Sequence, residues 1–513
     1  MRWLRCFQVL ANSLAPSSPH TYPAWRCLIT LHHGRRRSRV REGKPSSSQR
    51  RSQTTLRISQ YLAAIVSLLL SSLSSADDRL EALVRGTDVT PAISGLQIAV
   101  IEEGVVARQF AMGFVGGPDG RPTRINHNHK VRVASISKLV VAVGVMRLVK
   151  QEKVSLDADV SDYLGWRLRN PNYPAQQITL RQLLSHTSSI RDAGEYFIPA
   201  GNGELRDFFN PDSTLWKAGA HWAAQDEAPG VYFEYANLNF GVIAEVMERV
   251  STQRFDHFMR EEVLRPLELA ADFNACEVPR EELGGALSKR FEGYQWRPKR
   301  SWVTQVDGPH RVCFYGDVMF DDPAAFLADY ELGSNATLFS PQGGLRASAI
   351  DLATIVQLLI NKGSFNGKQL LTPTSIEELL GPVWELSSTV QNGLSAGEAE
   401  PGGDADGLMT SYGLSVHRID MRAWGFEKGP RYLLGHLGQA YGVLSHALFD
   451  PVSGDGIVTI VGGTSDKPDT NAGHSPLYRI EEALLHWWIN HRESNGNEAA
   501  AAKIKAFPVD RPF

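Results

Sequence analysis

The sequence predicts an α+β fold: one antiparallel sheet drawn from both ends of the chain, flanked by helices, with a mostly helical lobe inserted between. Two observations carry the prediction. Strand-like text occupies residues 94–114 and returns only at Tyr432–Gly462. The chain between is largely helical, and a sheet face has to be covered by another layer.

The leader comes first. Residues 1–76 hold twelve Lys and Arg against one acid, Glu42, a charge of +11, and the remaining 41 basic and 55 acidic residues carry −14. Residues 1–54, rich in Arg, Ser and Pro without apolar periodicity, read as a disordered basic extension. Residues 55–76 read as a signal peptide: Arg57, the apolar run Tyr61–Leu73, then Ser74-Ser75-Ala76. The run is short of the ~20 apolar residues a spanning helix needs, so no stable membrane span is expected once the leader is removed. The expected address is periplasmic or secreted. An Arg- and Ser-rich, acid-poor leader suits a mitochondrial transit peptide as well.

The folded domain is expected over 80–492, with a tail at 493–513. Hydrophobic residues at 42% and charged residues at 21% are those of a soluble globular protein. An acidic body without a long basic block points away from nucleic acid as a partner.

Within the domain, SGLQIAVIEEGVVARQFAMGF reads as a hairpin turning at Glu102-Glu103-Gly104. The later runs YLLGHLG, GVLSHALFD and GIVTIVGG supply three more strands. Ser348-Ala-Ile-Asp351 is a capping box, followed by Leu352, Ile355, Val356 and Leu359 at helical spacing. The segment from Pro476 to His491 reads as helical, and residues 391–407 as a loop or a disordered insert. Cys276 and Cys313, the two cysteines of the body, either pair or stand as separate buried thiols.

Three short motifs carry chemistry. Ser135-x-x-Lys138 opens the segment Leu139–Val149, apolar except for Gly144 and Arg147. A helix apolar on nearly all sides is buried. A serine at its start has a lysine one turn on, with β-carbons about 5–6 Å apart. Burial and the positive end of the helix dipole both disfavour the ammonium. The serine N–H, lacking an intrahelical partner, can meet an oxyanion. Tyr235-Ala-Asn237 offers a phenol to relay a proton and an amide to hold the lysine or a substrate carbonyl. Gly435-His436-Leu437-Gly438-Gln439 is a strand whose glycines allow a substrate to lie alongside as an added strand.

Ser135-x-x-Lys138, Tyr235-x-Asn237 and His436-x-Gly438, in that order, resemble the class C β-lactamase and penicillin-binding-protein superfamily. The nearest branch holds the β-lactamase-like serine proteases of mitochondria, D-aminopeptidases and carboxylesterases. Ile178–Ser189 and Gln342-Gly-Gly-Leu345 are similar to connecting stretches of that family. The resemblance implies the β-lactamase/transpeptidase-like fold and assigns roles. Ser135 is acylated, Lys138 deprotonates it, and Tyr235 passes the proton to the leaving group. Asn237 positions lysine and substrate, and the backbone N–H groups of Ser135 and Gln439 form the oxyanion hole.

Where β-lactamases carry Lys-Thr-Gly, this chain has His436-Leu437-Gly438. A neutral imidazole and an apolar side chain are poor partners for a substrate carboxylate. Ser189 stands where glycine is usual. His127-Asn-His129 and His186 read as surface or structural, not as metal ligands. The sequence thus predicts a serine hydrolase acting on an ester or peptide-like amide, with a small molecule or short peptide as partner and no metal or organic cofactor. The rival readings are a serine β-lactamase or D,D-carboxypeptidase, and a non-catalytic binding or scaffold protein.

Overall fold

The computed structural model describes residues 78–117, 119–289, 291–292, 295–296, 301–304, 313, 327, 330–397, 407–464 and 475–505. The expected extension, the signal peptide and the end of the tail lie outside them.

The sheet has nine antiparallel strands. They are β1 (Gly95–Glu102), β2 (Val105–Gly116), β3 (Pro122–Arg124), β4 (Trp384–Glu385), β5 (Ser411–Tyr412), β6 (His417–Asp420), β7 (Tyr432–Ala440), β8 (Val443–Phe449) and β9 (Gly456–Val461). Their order across the sheet is β4-β5-β6-β7-β8-β9-β1-β2-β3. The chain ends meet at β1 and β9, in register Leu96↔Val461 through Ile101↔Gly456. Two hairpins have the turn chemistry their twist demands. Glu103 and Gly104 lie at φ 49° and 80°, and Tyr441 and Gly442 at 53° and 91°, the left-handed pair that a two-residue turn between right-twisted strands requires.

Period-two alternation sends the strands' side chains into two separate cores. Leu96, Ile98 and Val100 of β1, with Leu433 and Leu437 of β7, pack in a core shared with Leu484, Leu485 and Trp488. Those three belong to α4 (Arg479–Lys505). Ala99, Leu434, Ala447 and Val458 face the other way, into the large core of the helical lobe. That lobe is built on α1 (Ile136–Lys150), α2 (Leu238–Ser251) and α3 (Ala349–Ile360). Helix α3 opens with the expected capping box: Ser348 N donates to Asp351 Oδ2 (2.8 Å), and Asp351 N donates back to Ser348 Oγ (3.3 Å).

Cys276 and Cys313 form a disulfide with their Cα atoms 4.9 Å apart, which decides between the two readings. Part of the expected loop at 391–407 is built into the fold. Phe233 N donates to Asn392 O (3.0 Å) and Leu394 N to Phe233 O (3.0 Å), while residues 398–406 lie outside the described set. Among the described residues no helix is long and apolar enough to cross a membrane.

Candidate active site

Ser135 is the residue before the first turn of α1, at φ −67° and ψ −8°. Ala134 ahead of it has φ 49°, a conformation a residue with a Cβ adopts at a cost. The chain therefore turns sharply from Val133, whose carbonyl is pinned by Ser445 Oγ (3.0 Å), into the helix. Ser135 is left half-buried. Its N–H has no hydrogen-bond partner among the described residues.

Lys138 follows one turn later on the same side and is wholly buried. Its Nζ is hydrogen-bonded to Ser135 Oγ (2.9 Å), Asn237 Oδ1 (2.7 Å) and the Gln342 carbonyl (3.0 Å). The amine also lies 4.8 Å from the centre of the Tyr235 ring. A neutral amine has two N–H bonds and one lone pair. In that form the oxygens of Asn237 and Gln342, which can only accept, take the two N–H bonds and leave the lone pair for the Ser135 hydroxyl; as an ammonium, Nζ donates to all three.

Asn237 is kept in the required orientation by a residue that sequence reading missed. The Asp192 carboxylate accepts from Asn237 N (2.9 Å), Asn237 Nδ2 (3.0 Å) and Leu238 N (2.8 Å). It caps α2 from a distant loop, and because it takes the Nδ2 end of the amide, Oδ1 must face Lys138. The only sequence signal was an acid three residues after Ser189, beside the Ile178–Ser189 stretch. Ser189 itself lies at φ 66°, which accounts for glycine being usual there.

Strand β7 closes the site. A Cβ on Gly438 would stand 2.5 Å from the Val133 carbonyl and 3.3 Å from Ser135 N, so glycine is what lets β7 reach the nucleophile. Pairing of β6 with β7 ends at His417↔Gly435. Residues 436–440 are thus paired to β8 along one edge only among the described strands. Beside a two-residue turn the closing pair Ala440↔Val443 is hydrogen-bonded, so alternation makes Gln439↔Leu444 non-hydrogen-bonded and aims the Gln439 N–H at the opposite edge. The Gln439 side chain turns to the outer layer, where Nε2 donates to Tyr478 Oη (2.7 Å).

The imidazole of His436, on the strand expected to lie along a substrate, is buried. The ring has no exposed surface. Nε2 pairs with Tyr412 Oη (2.9 Å) and Nδ1 with the Leu437 carbonyl (2.5 Å), so Tyr412 closes over it. His436 lies among buried aromatic neighbours, with its ring centre 4.4 Å from that of His417. Burial holds His436 well below the ordinary imidazole range and brings His417 down to about 3; positive charge at Lys138 acts in the same sense on both. Of the other histidines, His127 is exposed, and His129 is buried and accepts from Asn126 N (3.0 Å).

Fold and site together define a hydrolase class, the β-lactamase/transpeptidase-like proteins. The chain belongs to the β-lactamase family, whose model, described as Beta-lactamase, matches residues 80–479. It is 30% identical over 149 residues to the D-alanyl-D-alanine-carboxypeptidase/endopeptidase AmpH of Escherichia coli strain K12, covering 29% of this chain and 37% of that protein. It is 24% identical over 182 residues to Protein flp of Staphylococcus aureus strain NCTC 8325, covering 34% of each. These matches span only about a third of each relative. The D-amino acid amidase of Ochrobactrum anthropi SV3 shares the fold, with a TM-score of 0.53 at 16% identity over 82% of this chain and 99% of that one.

Proposed function

We propose that the protein is a serine hydrolase that works through an acyl-serine intermediate on an ester or peptide-like amide. One observation carries this reading. A buried lysine amine is held 2.9 Å from a half-buried serine hydroxyl while two carbonyl oxygens occupy its other directions. Lys138 Nζ takes the Ser135 proton as Oγ bonds to the acyl carbon. The oxyanion is met by the N–H groups of Ser135 and Gln439. Collapse expels the alcohol or amine, which takes a proton from Tyr235 Oη, and the Lys138 ammonium restores that proton. Water then gives a proton back along the same path, attacks the acyl carbon, and Ser135 leaves with its hydrogen. The sum is ester or amide plus water to acid plus alcohol or amine.

Substrate choice follows from β7. A carboxypeptidase or β-lactamase needs a group for the substrate's carboxylate, whereas this strand offers Leu437 and a buried neutral imidazole at 436. Esters and amides without a carboxylate there are the better fit. The reading extends to export, which the apolar run Tyr61–Leu73 and the Cys276–Cys313 disulfide support; a mature N-terminus at Asp77 by mass spectrometry is the result expected.

The test is a fluorophosphonate probe on wild type and Ser135→Ala. Labelling of the first alone is expected; labelling of neither overturns the enzyme reading in favour of a binding or scaffold protein. A short-chain nitrophenyl ester, a D-amino acid anilide and a chromogenic cephalosporin then rank the substrates. A cephalosporin far ahead of the others would sink the argument from residues 436 and 437.

A further inference from the structure

His186 is a residue that the chemistry above does not use, and it sits in a backbone conformation that glycine would occupy more cheaply. Its φ is 56°, in the left-handed region where a side chain costs energy unless its surroundings require it. It is also 1% exposed. What its surroundings gain is contact with the Tyr-x-Asn segment at four points. The His186 carbonyl accepts from Glu234 N (3.0 Å). Nδ1 accepts from Ala236 N (3.0 Å) and lies 3.3 Å from Asn239 Nδ2. The ring face stacks on Tyr235, with centroids 4.2 Å apart and planes at 23°.

Because Nδ1 is an acceptor, the neutral ring carries its proton on Nε2, which has no partner among the described residues. A buried donor left unpaired is itself a cost. Two costs at one residue are explained if the imidazole does something there that a glycine or an aliphatic side chain would not.

We propose that His186 is a positioning residue: its imidazole fixes the peptide at Ala236 and backs the Tyr235 ring, so that the phenol is held beside Lys138 and in reach of the leaving group. The inference rests on the proton-relay role given to Tyr235 above. A phenol free to tilt would still leave Ser135 and Lys138 in contact, since those two are joined through α1 and Asn237. Acyl transfer to Ser135 would survive, and delivery of a proton to a poor leaving group would not.

That separation gives the test. The ethyl and p-nitrophenyl esters of one acyl group share the same acyl-enzyme, so their kcat/KM values compare acylation alone. The nitrophenolate leaves without a proton and the ethoxide does not. In His186→Ala, kcat/KM for the ethyl ester is expected to fall about 30-fold or more, within the range general acid catalysis supplies. The nitrophenyl ester and the rate of fluorophosphonate labelling are expected to stay within about threefold of wild type. His186→Asn, whose Oδ1 can still accept from Ala236 N, should recover part of the ethyl-ester loss. It also reads the same ratio should the alanine variant fail to fold. Equal losses on both esters, or no loss on either, would overturn the positioning role while leaving the serine mechanism standing. Failure of wild type to label at Ser135 removes the mechanism itself.

Discussion

Replacing Asp192 by alanine separates the order of the site from the integrity of the fold. The carboxylate takes three donors at 2.8–3.0 Å, two of them the backbone N–H groups that open α2. Loss of such a cap costs about 0.5–2 kcal/mol, and stranding the amide of Asn237, which is only 2% exposed, adds about 1 kcal/mol. The total of about 1.5–3 kcal/mol lowers the melting temperature of a domain this large by about 2–4 °C. Activity should fall much further. With Nδ2 released, the amide can turn its N–H group toward Lys138 and donate where it must accept, a misplacement on the order of 10–100-fold in rate. Fluorophosphonate labelling followed against time, beside a thermal melt, measures both. Asp192→Asn, which keeps one acceptor oxygen, should fall between. Labelling of Asp192→Ala within twofold of wild type, with an unmoved melt, would refute the reasoning.

Three further outcomes follow from the same geometry. Lys138→Met should abolish labelling and lower the melting temperature by a few degrees, because Asn237 Oδ1 and the Gln342 carbonyl lose the donor they share; labelling at the wild-type rate would contradict this. Gly438→Ala should cost about 1–3 kcal/mol in the melt and most of the turnover, as the new methyl meets the Val133 carbonyl and forces β7 off α1. Burial pushes the Glu245 carboxyl up to about 8 from its ordinary 4.5, so the folded protein keeps a proton that the unfolded chain has released. Stability should therefore fall as pH rises from about 4.5 through 8. Glu245→Gln, still able to accept from Trp166 Nε1 (3.0 Å in wild type), should show a flatter melting profile between pH 5 and 8, and an unchanged slope would assign the dependence elsewhere.

What the sequence disclosed and what it withheld divide along physical lines. Ser135 and Lys138 were legible from a helix start on an apolar helix; Tyr235-x-Asn237 and the strand carrying Gly438 are weak signals alone and were legible through the order of the three motifs, which resembles the family's, and the structure brings all five residues together. That the two chain ends share one sheet was legible because β-rich apolar runs bounded by turn residues occur only there. Strands β4 and β5 were not, since each spans two residues and no alternation can be read from so short a run. Asp192 was hidden because its partners lie 45 and 46 residues away, and a cap supplied from a remote loop leaves no pattern beside the helix it caps. The burial of His436 was hidden for a related reason. Its strand position is right, but the covering Tyr412 comes from β5, which pairing alone brings near.

The amine of Lys138 meets oxygens 99 and 204 residues away along the chain, and the strand that completes its surroundings comes later still. Contacts of such span form only after most of the loop entropy has been spent. On a half-made chain the lysine stays hydrated and protonated, and the serine is an ordinary alcohol. On the proposed function, the newly synthesised polypeptide would gain its chemistry toward acyl donors only as the last of these segments docks.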